Sequence, residues 1–414
     1  MIYRDIPARG FARFARVLML AAFAVTGGSV VGFLVVLFTA IAGGELDPVA
    51  WSGDVDAMLR QSIGAAALSI GASLGVGAFA QGAYRMLFVR QLARAAEADP
   101  RRVVAWNTRR LLILPTPFLG TYIYGFYFLV MGIIAIIINA LVVSTGESDI
   151  AATILIVEVV LWLLMAVFLL LVWRVGEPAW KRADDRVSEA WRLGGRLPMR
   201  MRQPRGKQRT DGDARALRRA ARRIAIVGAV AGVIGAGTFM IAVSLRQPCR
   251  RCDQRSYAEP GERVIDALVA FAIPFTTVAV LAAVLALVAI WLSGVLEASG
   301  ASSLAQARSD APEHEVLDRL FNGWWPGTTA GLAMVGLGWG FAPVLAGADL
   351  AAPGILPPAL IPTLIGVGAV GIALIWWSEG AAARSRNRLR EAWALGDIVT
   401  QPTPAGRNRR RAAR

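Results

Sequence analysis

Apolar and polar residues follow one another along this chain in long blocks, and eight of the apolar blocks are long enough to cross a bilayer. A membrane-spanning helix needs about 20 mostly apolar residues. The second block is the weakest of the eight, because it is rich in Gly and Ser. The pattern predicts an all-α polytopic membrane protein with eight transmembrane helices. The eight blocks are residues 17–42, 63–83, 118–143, 151–173, 224–245, 267–296, 324–346 and 355–377.

Two phrases occur in both halves of the chain at equivalent points of a four-helix unit. The first, RVSEAWRLGG from residue 186, returns as RLREAWALGD from residue 388. The second, LARAAEADP at 92–100, returns as LAQARSDAP at 304–312. These matches predict a tandem parallel repeat of a four-helix bundle. Because each copy has an even number of helices, the copies should be related by an axis along the membrane normal.

The repeat predicts four segments with distinct roles. Residues 1–197 form the first four-helix membrane repeat with a cytoplasmic helix extension, and residues 214–397 form the second repeat. Between them, residues 198–213 read as a basic cytoplasmic linker, because they are rich in Pro, Arg and Gln without apolar periodicity. Residues 398–414 have the same character and are predicted to be a basic disordered tail.

The distribution of basic residues predicts the orientation. With the N-terminus inside, 38 of the 44 Lys and Arg residues lie on the inner side, as the positive-inside rule requires. We therefore expect a multi-pass protein of the cell inner membrane with both termini in the cytoplasm. The composition is 56% hydrophobic and the net charge is +15. Since the charge lies between apolar blocks, anionic lipid headgroups are the expected partner and nucleic acid is not.

Three polar side chains within the blocks are candidates for a transport pathway. Glu158 is the one carboxylate well inside an apolar block, ILIVEVVLW. Intramembrane acids commonly serve proton or cation coupling, although a locally hydrogen-bonded structural Glu is the alternative. Tyr124 and Asn139, both in the third block, are the other candidates. For Tyr124 an interfacial aromatic belt is the alternative interpretation.

The repeated phrase predicts two amphipathic helix extensions on the cytoplasmic side, each with a stripe of charged residues and a Trp. They either lie at the headgroup level or dock a cytoplasmic protein. Glu189 and Ala190, followed by Gly195, are similar to the EAA loop of ABC-importer permeases over fewer than ten residues, which implies an ATPase as a possible partner. Asp397 stands where the second copy would need that Gly. The candidate docking residues are Arg182, Arg186, Glu189, Trp191, Arg384, Arg388, Glu391 and Trp393.

Little in the sequence indicates enzyme chemistry. Cys249 and Cys252 form the pair QPCRRCDQ in an outside loop, where a local disulfide is expected. The pair resembles that of quinone-linked thiol oxidases, which require a second cysteine pair that this chain lacks. The one histidine, His314, lies on the inner side, so neither a metal site nor a cofactor is predicted.

These observations lead to two functional hypotheses. The first is a permease-like inner-membrane transport component, coupled to protons or to a partner, with Glu158 on the pathway. The alternative is a non-catalytic membrane scaffold or a lipid-binding subunit of an envelope complex. A water-accessible cavity at Glu158 would favour transport, and a solid bundle with Glu158 bonded locally would favour the scaffold.

Overall fold

The structure is a computed structural model that describes residues 8–46, 55–98, 117–144, 149–190, 212–246, 259–307, 314–322, 325–351 and 356–393. Almost all of these residues lie in helices, and the described ranges contain no strand. Eight helices are long and apolar enough to span a membrane. Helices suit that environment because each satisfies its own backbone hydrogen bonds. The predicted all-α class and the eight spans are confirmed.

Six of the eight spans are uninterrupted helices. The fourth and seventh spans each contain a five-residue π-helical segment, a local widening of the helix that is rare in proteins. A short amphipathic helix, His314–Asn322, precedes the seventh span. The uninterrupted spans are Gly10–Leu46, Val55–Ala98, Leu119–Ser144, Gly212–Arg246, Glu259–Gln306 and Leu360–Ala392. The fourth span comprises Asp149–Leu171, Val172–Gly176 and Glu177–Ala190, and the seventh comprises Pro326–Val335, Gly336–Gly340 and Phe341–Ala351.

The first, second, seventh and eighth spans form the centre of the molecule. The first packs along the second, the seventh contacts both, and the eighth lies against the seventh. The third and fourth spans pair with each other and attach to the second. The fifth and sixth spans form a hairpin that meets the other spans mainly through the sixth. The halves are thus joined where the first and second spans contact the seventh. The predicted duplication stays a prediction.

One end of the bundle, which we call the basic end, is where odd-numbered spans begin and even-numbered spans finish. There the backbone N–H of Arg9 donates to Gln91 of the second span at 3.3 Å. The guanidinium of Arg13 donates to the backbone carbonyl of Trp376 and lies over its ring. The first, second and eighth spans therefore meet at this end. The two helix extensions also lie there, as the last turns of the fourth and eighth spans.

Glycines allow the first and seventh spans to touch backbone to backbone. A Cβ atom at Gly28 would collide with the carbonyl oxygen of Gly336, and one at Gly340 would lie 2.8 Å from the Cα of Gly28. Gly338 meets the eighth span at Gly368 as closely. In a membrane, lipid competes equally for apolar side chains, so helices associate through close packing of small residues. This crossing joins the two halves of the chain.

Hydroxyl groups add hydrogen bonds at the same level. Ser29 of the first span shares a hydrogen bond of 2.7 Å with Ser69 of the second, and it donates to the carbonyl of Gly340 at 3.1 Å. One turn away, Thr26 and Ser73 are 2.7 Å apart. Such interhelical bonds contribute about 0.6 kcal/mol each on average in membranes. They fix the rotation of the first span against its neighbours.

The glycine crossing gives a direct test of this arrangement. We expect Gly28→Ala to lower the free energy of unfolding by about 1–3 kcal/mol, because the added methyl group must displace the seventh span. Gly27→Ala is the matched control, since a Cβ atom there has no neighbour within 4 Å. Thermal unfolding of the purified protein in detergent measures both variants. Equal stability of the two would contradict the crossing.

Candidate functional site

The structure brings two of the three predicted pathway residues together. The amide nitrogen of Asn139 in the third span lies 2.8 Å from each carboxylate oxygen of Glu158 in the fourth span. The carboxylate is partly buried, and Val157 and Val159 beside it are exposed. An intramembrane acid is costly unless it is paired, and Asn139 provides that partner from the adjacent helix.

Tyr124, the third candidate, does not join this pair. It lies fifteen residues before Asn139 on the same helix, which is roughly 22 Å along the axis. Its neighbour Tyr122 instead donates a hydrogen bond of 2.9 Å to Glu177 of the fourth span. The tyrosines therefore lie near the basic end, where the interfacial interpretation placed them, and the hydroxyl of Tyr122 ties the third span to the fourth.

The first helix extension presents its predicted charged residues at the surface. Arg182 donates to the carbonyl of Pro178 in its own helix at 3.3 Å, and Arg186 lies 3.9 Å from Glu97 of the second span. Glu189 is exposed. The opposite face is held in place by Val187, which is fully buried in a cluster with residues of the second span. Trp191 lies outside the described residues.

The second extension also has exposed charged residues on one face and a buried aliphatic residue on the other, and its Trp is described as well. Arg384, Arg388 and Glu391 are exposed, while Leu389 is buried, as is Val187 at the position that the predicted repeat makes equivalent. Trp393 is half-buried and packs against the cluster that contains Leu389. Trp393 is therefore part of the bundle's own packing rather than a fully exposed docking residue.

A polar cluster that the sequence-based candidates do not include joins the first and last spans. Arg16 Nε lies 2.8 Å from Glu379 Oε2, and Arg16 Nη1 donates to the hydroxyl of Tyr84 at 3.2 Å. Thr328 of the seventh span shares a hydrogen bond of 3.0 Å with Ser378, next to Glu379. Four spans from the two halves therefore meet around one ion pair at the basic end.

The second half contains a related cluster that is buried more deeply. The side chain of Glu297 in the sixth span is only 2% exposed. Its Oε2 accepts a hydrogen bond of 2.6 Å from Arg218 of the fifth span, and its Oε1 accepts one of 2.9 Å from Arg319 of the short helix. Arg218 also donates to Ser293 at 3.1 Å. This carboxylate holds the hairpin and the short helix together.

A repeated motif marks the arginines of both clusters. Gly10-Phe-Ala-Arg-Phe-Ala-Arg16 and Gly212-Asp-Ala-Arg-Ala-Leu-Arg218 share Gly, Ala and two Arg residues at the offset of 202 residues that also relates the EAW phrases. Each motif opens the first helix of its half. Arg16 and Arg218 are thus equivalent positions in the predicted duplication, and each makes an ion pair with a carboxylate from a later span. This signal was available in the sequence.

The predicted disulfide between Cys249 and Cys252 lies outside the described residues and stays a prediction. In the part of the chain that the structure describes, no group of three His, Cys, Asp or Glu side chains could hold a metal ion.

Comparisons of this chain with protein-family models, with curated proteins and with solved structures found no match. The Glu158–Asn139 pair, the two exposed extensions and the glycine crossing are the features that bear on the function.

The buried cluster at Glu297 predicts a large loss of stability on substitution. We expect Glu297→Gln to lower the free energy of unfolding by about 3 kcal/mol, because two partly buried guanidinium groups lose the buried carboxylate that they share as a counter-charge. The matched control is Glu259→Gln at the start of the same helix, where the carboxylate pairs with Arg263 and is 78% exposed. Exposed pairs contribute up to about 1 kcal/mol. Similar losses for both variants in denaturant unfolding would contradict the role of Glu297.

Proposed function

We propose that this chain is a non-catalytic scaffold of a complex in the bacterial inner membrane, with both termini in the cytoplasm. The observation that carries the proposal is the glycine crossing of the first and seventh spans. A transport pathway between the two halves would need open space where the halves meet. At Gly28 and Gly336 the two backbones instead approach so closely that a methyl group would not fit.

The environment of Glu158 also supports a structural role. Both carboxylate oxygens lie within hydrogen-bond distance of one amide group on the neighbouring helix. A pair of this kind satisfies the polar atoms of Glu158 locally and holds the third span against the fourth. A Glu158 that is hydrogen-bonded locally to a neighbouring helix is the arrangement expected of a scaffold.

The two helix extensions are the proposed binding surface for a cytoplasmic partner. Arg182, Arg186 and Glu189 are exposed on one extension, and Arg384, Arg388 and Glu391 on the other. Both extensions are anchored by a buried aliphatic residue on the opposite face. Rigid helices that present charged side chains of both signs suit a specific, oriented contact with a soluble protein. An ATPase is one partner with which such helices are compatible.

The second candidate is the permease-like component, and Glu158 is the observation that favours it. Carboxylates within spans are rare and most often lie on ion or proton pathways. In this proposal the pathway runs beside the third and fourth spans rather than between the halves. Asn139 would then position the carboxylate, and proton release from Glu158 would couple transport to the proton gradient.

The scaffold proposal predicts a stable assembly that depends on the extensions. When the full chain is extracted from native membranes with a mild detergent, we expect it to migrate on native gels at a mass larger than that of one chain. Arg182→Ala/Arg186→Ala/Glu189→Ala should shift it toward the mass of the isolated chain. The matched control, Arg90→Ala/Arg94→Ala/Asp213→Ala, removes equivalent charges from exposed positions at the same end but outside both extensions and should leave the assembly intact. Equal migration of both variants would count against the surface.

The two candidates differ in proton flux. The purified chain is reconstituted in liposomes that contain a pH-sensitive dye, and a pH gradient is imposed. The scaffold proposal predicts the same slow leak for the wild-type chain, for Glu158→Gln and for protein-free liposomes. A wild-type flux at least tenfold above the protein-free rate, lost in Glu158→Gln, would instead establish the transport candidate. Thermal unfolding of Glu158→Gln confirms that the variant is folded.

A further inference from the structure

An apolar groove lies on the hairpin of the fifth and sixth spans. Its volume is about 400 Å³, and its lining is almost wholly apolar. Ile226, Val230 and Ile234 form one side and Pro274, Phe275 and Val278 the other. Apart from Phe275, these side chains are exposed to the surroundings of the molecule. In a bilayer the groove therefore opens toward lipid.

Three exposed arginines lie directly before the groove on the fifth span. Arg222 precedes Ile226 by four residues, and Arg223 precedes Val227 by four, so each lies one turn below a lining residue on the same face. Arg219 precedes Arg223 by a further turn. Within the described ranges, none of the three arginines makes an ion pair. Arg218, by contrast, forms an ion pair with Glu297.

The stretch of the fifth span from the arginines to the far end of the groove matches the thickness of one leaflet of a bilayer. From Arg223 to Ile234 there are eleven residues, or roughly 16 Å along the helix. Half of an approximately 30 Å hydrocarbon core is about 15 Å. A transmembrane helix of another protein would need a groove through both leaflets. A molecule with an anionic head and an apolar chain confined to one leaflet fits the observed charge and length.

We propose that this groove is a binding site for an anionic phospholipid of the inner leaflet. The phosphate lies against Arg219, Arg222 and Arg223, and one acyl chain fills the groove beside Pro274. Basic residues at the inner ends of spans attract anionic headgroups in this way. The site is independent of the scaffold proposal, because it requires neither the extensions nor a protein partner.

The test uses the full chain in detergent with dioleoyl-phosphatidylglycerol or dioleoyl-phosphatidylcholine as the probe, read by native mass spectrometry. We expect the wild-type chain to retain one phosphatidylglycerol in preference to phosphatidylcholine. Arg222→Gln/Arg223→Gln should weaken phosphatidylglycerol binding roughly tenfold or more. The matched control is Arg90→Gln/Arg94→Gln, which removes the same charge from exposed positions on the second span and should bind as the wild-type chain does.

A second pair of variants tests the groove itself. Val230→Phe fills the groove and should reduce retention of the lipid. Val233→Phe places the same side chain at a position that is 74% exposed and does not line the groove, so retention should not change. Equal losses in both arginine pairs, or full retention in Val230→Phe, would overturn the site. A wild-type dimer that Val230→Phe dissociates would make a second copy the occupant and would also overturn it.

Discussion

Backbone contact between the first and seventh spans is the constraint on which the remaining packing depends. Lipid chains solvate apolar side chains as well as protein does, so burial alone does not hold membrane helices together. Stability must come from close approach, and close approach requires residues without side chains. Gly28, Gly336 and Gly340 supply them where the halves meet, and Ser29 adds a hydrogen bond to Gly340 at the same level. Once that crossing is formed, the second and eighth spans have surfaces on which to pack.

The ion pairs at the basic end complement this crossing by specifying which spans meet. A buried carboxylate is costly to desolvate, so its pairing contributes more to selecting one arrangement than to net stability. Arg16 can satisfy Glu379 only if the first and eighth spans are neighbours, and Glu297 can be satisfied only if the fifth span and the short helix both reach it. Glycine contacts alone would still allow the spans to rotate about their axes and to slide along one another by small amounts. The charged contacts at one end remove that freedom.

Hydropathy was sufficient to predict the eight spans, because their apolar blocks are long and are separated by charged loops. The same pattern singled out Glu158 and Asn139, but their contact depends on how the third and fourth spans are rotated about their axes. Arg16 and Glu379 are separated by 363 residues, and nothing in a single sequence connects two residues so far apart. Glu297 was missed because it lies where an apolar block gives way to polar residues, a place where exposed charge is ordinary. The repeated Gly-x-Ala-Arg-x-x-Arg motif was the one available signal for these clusters.

The hairpin of the fifth and sixth spans is packed differently from the centre of the molecule. Its two helices bury small residues against each other, Gly228 against Ala282 and Gly232 against Ala279, and expose Val, Leu and Ile on their outer faces. Within the described residues the fifth span packs mainly against the sixth, so its outer surface is free to face lipid. No described residue of this chain fills the space beside Pro274. A bilayer component is the occupant that we propose for that space, and the adjacent arginines favour one with negative charge.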